Sequence, residues 1–384
     1  MLSPLLALLA LSASFRSPSL NDTTAVLFES FKVEHSVSYA TAEEEAFRFR
    51  AFEKTLVRIA EMNADPNDPA EYGVTRWADR TETELRAKCG GSKAQKKRTT
   101  AAQAPSAHAW DGTCYAGVRP ELAHLCNGTL PDAFDWTEHG AVTPIKDQGS
   151  CGNCFTFGAT GDFESAWFLA GHDLVSLSEQ QLTSCDRVGN DAGCGGGYSN
   201  LDTDEYVTKN GGIASEADYP LCSGTKAKCP GSSKKEKKNG RCDKAKEAKV
   251  SAVIVGGYQV SGGVKHGQCD WCAANPLAVD EEQMKAHLVR GGPMTIAINS
   301  KFFDNYKKGV MKPAASKCKG SSPNDLDHQV LIVGYGTDDG QDYWRIKNSW
   351  NAKWGEAGFC RVARNANNLC GVATDATHAI AQKL

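Results

Sequence analysis

The chain carries little surplus of charge of either sign. It has no internal repeat and no apolar stretch long enough to cross a membrane. A formal net charge of −3 at pH 7 leaves no overall positive field toward nucleic acid or membrane surfaces. Like charges gather only locally, at Lys226, Lys228, Lys234, Lys235, Lys237, Lys238, Arg241, Lys244 and Lys246, which reads as a solvated surface loop. With 41% hydrophobic and 23% charged residues, the composition is that of an ordinary soluble globular protein.

The apolar run Leu2–Leu11, followed by small residues, is about half the length of a bilayer span and suits a signal peptide over 1–14. Fifteen cysteines support that reading, because in a secretory chain they form disulfides. The odd total leaves at least one thiol unpaired. Asn21 and Asn127 head glycosylation sequons, usable on the same route.

Three regions follow. In 20–88, Phe52, Leu56, Ile59 and Met62 recur at the steps of one helix face, and Glu44 stands four residues before Arg48, the spacing of an ion pair. Pro66 and Pro69 end that helix. Residues 89–129 are small and polar with a basic cluster, and predict an exposed linker that buries little and is open to proteolysis. From 130 to 384, helical periodicity comes first and strand-like alternation later, an α+β pattern with two subdomains.

Ser150-Cys-Gly-Asn-Cys-Phe155 poses the chemical question. A redox dithiol needs a preceding strand, and Thr143–Ser150 reads as a loop. A zinc site needs a second pair; Cys269 and Cys272 have the spacing, but a secretory, cysteine-rich chain favours disulfides. The third reading makes Cys154 a nucleophile opening a helix that runs to about Ala170, whose dipole favours the thiolate. His328 would then be the imidazole, Asn348 would fix its tautomer, and Trp350 would cover the pair.

With those residues assembled, the sequence resembles a papain-family, cathepsin L-like cysteine protease precursor. "QGSCGNCF" is similar to the family's "QGSCGSCW", with Asn153 and Phe155 as departures. Glu44, Arg48, Phe52, Ile59 and Asn63 resemble the family's pro-helix motif, with Thr55 where Asn is usual. Gly73, Thr75, Trp77 and Asp79 resemble its second pro-motif. The resemblance implies a papain-like fold, with a helical left subdomain and a β-barrel-like right one. A helical inhibitory propeptide would precede it and be cut off near 128–131. It implies that Gln148 and the Cys154 backbone N–H form the oxyanion hole. Gly196 and Gly197 would pair with an extended substrate. Tyr198, Ser199, Ala297, Leu326, Asp327 and Asp375 would shape the specificity pocket, with Asp375 at its floor accepting Arg or Lys. Disulfides Cys151–Cys194, Cys185–Cys242 and Cys318–Cys370 carry over by position, although Cys185 has Cys222 and Cys229 as rival partners. Local spacing suggests Cys222–Cys229 and Cys114–Cys126; Cys89 and Cys360 have no obvious partner.

The expected protein is therefore a cysteine endopeptidase zymogen, monomeric, needing no cofactor or metal. It would act on proteins and peptides in the lysosome, vacuole or extracellular space, and be restrained by its own propeptide and by cystatin-type inhibitors. A papain-fold transpeptidase or ligase, or a non-catalytic binding relative, are the alternatives. The spacing of 174 residues from Cys154 to His328 exceeds the family's usual interval. Insertions at 221–242 and 261–280 account for it, and the first lacks the His pair of dipeptidase loops.

Overall fold

A computed structural model describes residues 20–88, 108–188, 191–197, 200–225, 229, 238–263, 277–322 and 325–384. The signal-peptide stretch, most of the lysine-rich insertion and Cys89, Cys269 and Cys272 lie outside these residues, as do Tyr198 and Ser199. No helix among them is long and apolar enough to cross a membrane.

The amino-terminal region is helical. The periodic segment forms one helix, Ala42–Asn63, started by Thr41, whose hydroxyl accepts the Glu44 N–H at 3.1 Å. Its apolar stripe buries Phe52, Ile59 and Met62. Phe52 packs with Phe28 and Phe31 of helix Leu20–Glu34 in a small separate core. The expected Glu44–Arg48 pair gives way to a tertiary one. Arg48 donates to both Glu84 oxygens at 2.8 Å in helix Glu82–Lys88, while Glu44 accepts the Ala40 N–H at the helix start.

In the remainder, helices Cys154–Leu169, Glu179–Cys185 and Asn200–Asn210 stand on one side and a nine-stranded sheet on the other. From one edge the strands run His108–Ala109, Ile254–Gly262, Asp375–Ala381, Met294–Ile298, His328–Asp338, Gln341–Lys347, Phe359–Ala363 and Val310–Met311, with Phe134–Asp135 added beside His328–Asp338. The pairing is antiparallel except at the two edges. This is an open path; the described residues form no closed barrel.

Helix Cys154–Leu169 is the central beam, buried on nearly every side. Gly158 lets it lie against the sheet. A Cβ there would sit 2.8 Å from Thr295 Cγ2 and 3.4 Å from Gln329 Cβ, so a larger residue would push the helix off the strand.

Residues 108–126 differ from the expected exposed linker. They form a two-residue strand and two 3₁₀ turns, bury Ala116 and Leu122, and are closed by Cys114–Cys126. Composition misled because small and polar residues reach burial here through a disulfide and aromatic contacts distant in sequence. Residues 89–107 lie outside the described ones.

Candidate active site

Cys154 is the first residue of the central helix. Asn153 precedes it without a side-chain cap on the first turn; its amide instead donates to Thr183 Oγ1 at 2.9 Å. The opening N–H groups and the helix dipole are therefore left to favour negative charge at the thiol. Phe155, at the family's Trp position, is fully buried, and a Cβ on Gly197 would meet its ring, so the two residues are matched in size.

The structure pairs Cys151 with Cys194, Cys185 with Cys242, Cys222 with Cys229 and Cys318 with Cys370, besides Cys114 with Cys126. Cys154 and Cys360 stand outside these disulfides. Cys360 is a buried thiol whose pKa burial pushes well up.

His328 opens its strand opposite Ile298, three residues along the neighbouring strand from Thr295, which lies against Gly158. Its Nε2 lies 2.8 Å from Asn348 Oδ1. The backbone N–H of Ser349 also donates to that oxygen, at 2.8 Å. Because a backbone N–H can only donate, the Asn348 amide is oriented with oxygen toward the ring. His328 must therefore carry its proton on Nε2, and Nδ1 is the basic nitrogen. Trp350 stacks on the imidazole at 4.9 Å between centroids. Cys154, Gln148, His328, Asn348 and Trp350 are all buried.

Two strand-like segments bring this group together. Gln148 N–H donates to Ser349 O at 2.9 Å, Asn351 N–H donates to Lys146 O at 3.1 Å, and Asp147 bridges Trp350. Gln148 Oε1 accepts from Ser349 Oγ at 2.7 Å and Trp350 Nε1 at 3.1 Å, while Nε2 donates to Cys151 O at 2.9 Å. The amide is thus held with its nitrogen on the Cys151–Cys154 side.

Beneath lies an ionic cluster that sequence reasoning missed. Lys146 Nζ reaches Glu164 at 2.7 Å and Glu179 at 2.6 Å, and Lys347 Nζ donates to Thr143 at 2.9 Å. Thr143 in turn donates to Glu164. Burial pushes Lys347 down to about 8 against the pull of Glu164, and pushes Glu179 up against Lys146. Burial alone would lower Lys146, but Glu164 and Glu179 hold it above its ordinary value. Lys146 stands two residues before Gln148 and Lys347 one before Asn348, so the cluster anchors both. The signal in the sequence was Glu164, which with Asp162 is one of two carboxylates inside a largely apolar helix.

Of the expected pocket residues, Ala297, Leu326, Asp327 and Asp375 gather at one sheet end. Asp375 begins its strand next to Ala376, which pairs with Ile296; Ala297 pairs with Gln329, and Asp327 N–H donates to Ile298 O. Two strand spacings put Asp375 about 10 Å from His328. Gln259 Nε2 donates to Asp375 at 3.0 Å; burial nevertheless pushes this carboxyl up to about 6. Asp327 accepts the Ser300 N–H at 2.8 Å, and Leu326 packs over Gly371. Gly196 has φ +102 and Gly197 is half-buried on Phe155. Exposed Asn127 ends a 3₁₀ turn, and Asn21 lies in helix Leu20–Glu34.

The amino-terminal region reaches this site. Arg76 makes a bidentate pair with Asp147 at 2.6 Å, and Trp77 sits edge-on to Trp350 at 5.9 Å. Burial alone would raise Asp147, but Arg76 holds it below the usual carboxylate range. Strand Glu71–Tyr72 pairs with Tyr306–Lys308, Gly73 N–H donates to Asn305 O, and Asp68 accepts the Lys312 N–H.

Comparison with known proteins agrees with this layout. Residues 130–380 match the papain family cysteine protease domain and residues 28–85 the cathepsin propeptide inhibitor domain. Cysteine proteinase 15A of Pisum sativum is 36% identical over 359 residues, covering 90% of this chain and 83% of that protein. Cathepsin L of Sarcophaga peregrina is 34% identical over 385 residues, covering 97% and 98%. The structure of digestive procathepsin L2 proteinase from the Tenebrio molitor larval midgut superposes with TM-score 0.70 at 33% identity, covering 94% of this chain and all of that one.

Proposed function

The chain belongs to the papain family of cysteine proteases and carries a cathepsin-type propeptide, and from that premise we propose that it is an endopeptidase made as a secretory zymogen, working through Cys154 and His328. The observation that carries this reading is the shared Asn348 oxygen, bonded at 2.8 Å to both His328 Nε2 and Ser349 N–H, with Trp350 stacked on the ring. It dictates one tautomer and leaves Nδ1 to take the proton of a thiol.

The chemistry follows. The Cys154 proton passes to His328 Nδ1, and the thiolate attacks the scissile carbonyl carbon. The carbonyl π pair moves to oxygen, which the Cys154 N–H and the Gln148 amide receive. As the C–N bond breaks, His328 gives its proton to the leaving amine. A water molecule then loses a proton to His328 and attacks the thioester, and the C–S bond breaks to restore the thiol. Asn348 keeps the ring in plane throughout, and Trp350 shields the bond between them.

Gly196 and Gly197 would bond the extended substrate backbone. Ala297, Leu326, Asp327 and Asp375 would receive the side chain two residues before the cut. The disulfides suit the secretory route, a lysosomal, vacuolar or extracellular destination and glycosylation at Asn21 and Asn127. Protein substrates, the chain's own propeptide and cystatin-type inhibitors are its partners, and the working form is a monomer. An acid-treated precursor should hydrolyse fluorogenic peptides and be labelled at Cys154 by a thiol-reactive epoxide. Equal hydrolysis by a Cys154→Ala protein would overturn the assignment.

A further inference from the structure

We propose that residues 108–126 are a permanent part of the mature enzyme, a disulfide-stapled amino-terminal extension, and that the propeptide is severed on the amino-terminal side of His108 instead of near 128–131. This rests on the zymogen reading above and concerns where that zymogen is divided.

The segment belongs to neither family match, since these cover 28–85 and 130–380. It is nonetheless fastened to the catalytic domain on the face away from Arg76 and Trp77. His108 and Ala109 extend the sheet in parallel beside Tyr258 and Gln259, and Trp110 N–H donates to Gln259 O at 3.2 Å. Trp110 stands edge-on to His287 at 5.1 Å, and Tyr115 stacks on Tyr258 at 6.2 Å and leans on His378 at 6.1 Å. Beneath these rings His287 is fully buried, its Nε2 2.8 Å from the Tyr258 hydroxyl. Ala116 and Leu122 are part of the main core itself.

Arg119 makes the firmest link. It donates to the carbonyls of Phe168, at 2.6 Å, and His172, and its guanidinium lies 3.6 Å over the Phe168 ring. Phe168 lies in the last turn of the helix that Cys154 opens and His172 three residues past its end. Phe168 O already takes the Gly171 N–H, so the guanidinium adds a second bond there and complements the helix dipole. The Cys114–Cys126 bond ties the two turns together, so the segment cannot peel off stepwise.

The propeptide proper also places Ile59, Met62, Ala70 and Tyr72 in the main core and pairs a strand with Tyr306–Lys308. To these it adds ion pairs open to solvent, Arg76 with Asp147, Asp65 with Lys317 and Glu71 with Lys308, and no disulfide among the described residues joins it to the rest. Among the described residues, Asp111 and Glu121 bond only within the extension, to Thr113 and Arg119. Losing either segment would uncover core residues, but losing the propeptide would also open the cleft, whereas losing 108–126 would remove Arg119 from the carboxyl end of the catalytic helix.

The test has two arms. In the first, wild-type precursor is activated in acid and its mass taken under denaturing, non-reducing conditions. A mature species that retains 108–129 is expected, and an amino terminus at 128–131 overturns the proposal. In the second, the Cys154→Ser precursor, which does not process itself, is digested briefly with subtilisin. The protected core should begin before His108; a core beginning at 128–131 again overturns it. A precursor that hydrolyses peptides at undiminished mass defeats the zymogen reading alone, while the subtilisin arm still decides this one.

Discussion

If Asp375 forms the pocket floor, substrate preference should switch with pH over a range that the structure specifies. Burial pushes this carboxyl up to about 6, and the Gln259 hydrogen bond opposes but does not cancel the effect. With that value, about a tenth of the enzyme carries a charged Asp375 at pH 5 and about nine-tenths at pH 7. An arginine two residues before the scissile bond stays charged throughout, whereas leucine is indifferent to the carboxylate. The ratio of kcat/KM for the arginine peptide to that for the leucine peptide should therefore rise about tenfold from pH 5 to pH 7, equivalent to about 1.4 kcal/mol.

Using the ratio removes the titration of Cys154 and His328, which both substrates share, and kcat/KM reports the free enzyme, whose carboxyl is the one described. The assay is a pair of fluorogenic peptides differing at that one residue. Asp375→Asn should flatten the ratio. Gln259→Leu, by removing the donor that favours the charged form, should move the midpoint upward. A flat ratio in the wild type, or an unchanged slope in Asp375→Asn, would refute the placement of Asp375 in the pocket.

Three further outcomes are expected. Arg76→Ala removes a half-exposed bidentate pair worth about 1 kcal/mol, so autoprocessing should quicken about fivefold near pH 5. Because Asp147 is held below its ordinary value, the pair stabilises docking above that value and is lost as pH falls through the lowered one. Processing rates of mutant and wild type, followed on gels, should converge at the acid extreme. Gln148→Ala should lower kcat about 10²–10³-fold with little change in KM, as read by steady-state kinetics at unchanged thermal midpoint. Lys146→Met leaves Glu164 and Glu179 buried without their counter-ion and should cost about 3–5 kcal/mol, measured by urea unfolding of the Cys154→Ser precursor.

What could be read from the sequence divides by the range of the interaction. Helix Ala42–Asn63 was legible because its stripe repeats within one element. Cys154 was legible because a helix start changes a thiol through neighbouring N–H groups. His328 and Asn348 were legible only as companions of Cys154; His328 opens one strand and Asn348 follows the end of the adjoining strand Gln341–Lys347. Arg48 shows the limit, since the local partner Glu44 satisfied the spacing rule while Glu84 offered two oxygens from another helix. The same competition hid the cluster under the site. Lys146, Glu179 and Lys347 carry no mark of burial in the sequence, and only the fold makes each of them, with Glu164, the reason the others tolerate it. Residues 108–126 fail to signal themselves for a related reason, because the rings that bury them belong to Tyr258, His287 and His378, over a hundred residues on. Reactive groups thus announce themselves through local chemistry, whereas the groups that hold them do not. Lys146 and Lys347, adjoining Gln148 and Asn348 in the chain, are where the two kinds of information meet: a change there should disturb catalysis by moving a neighbour, without touching the substrate.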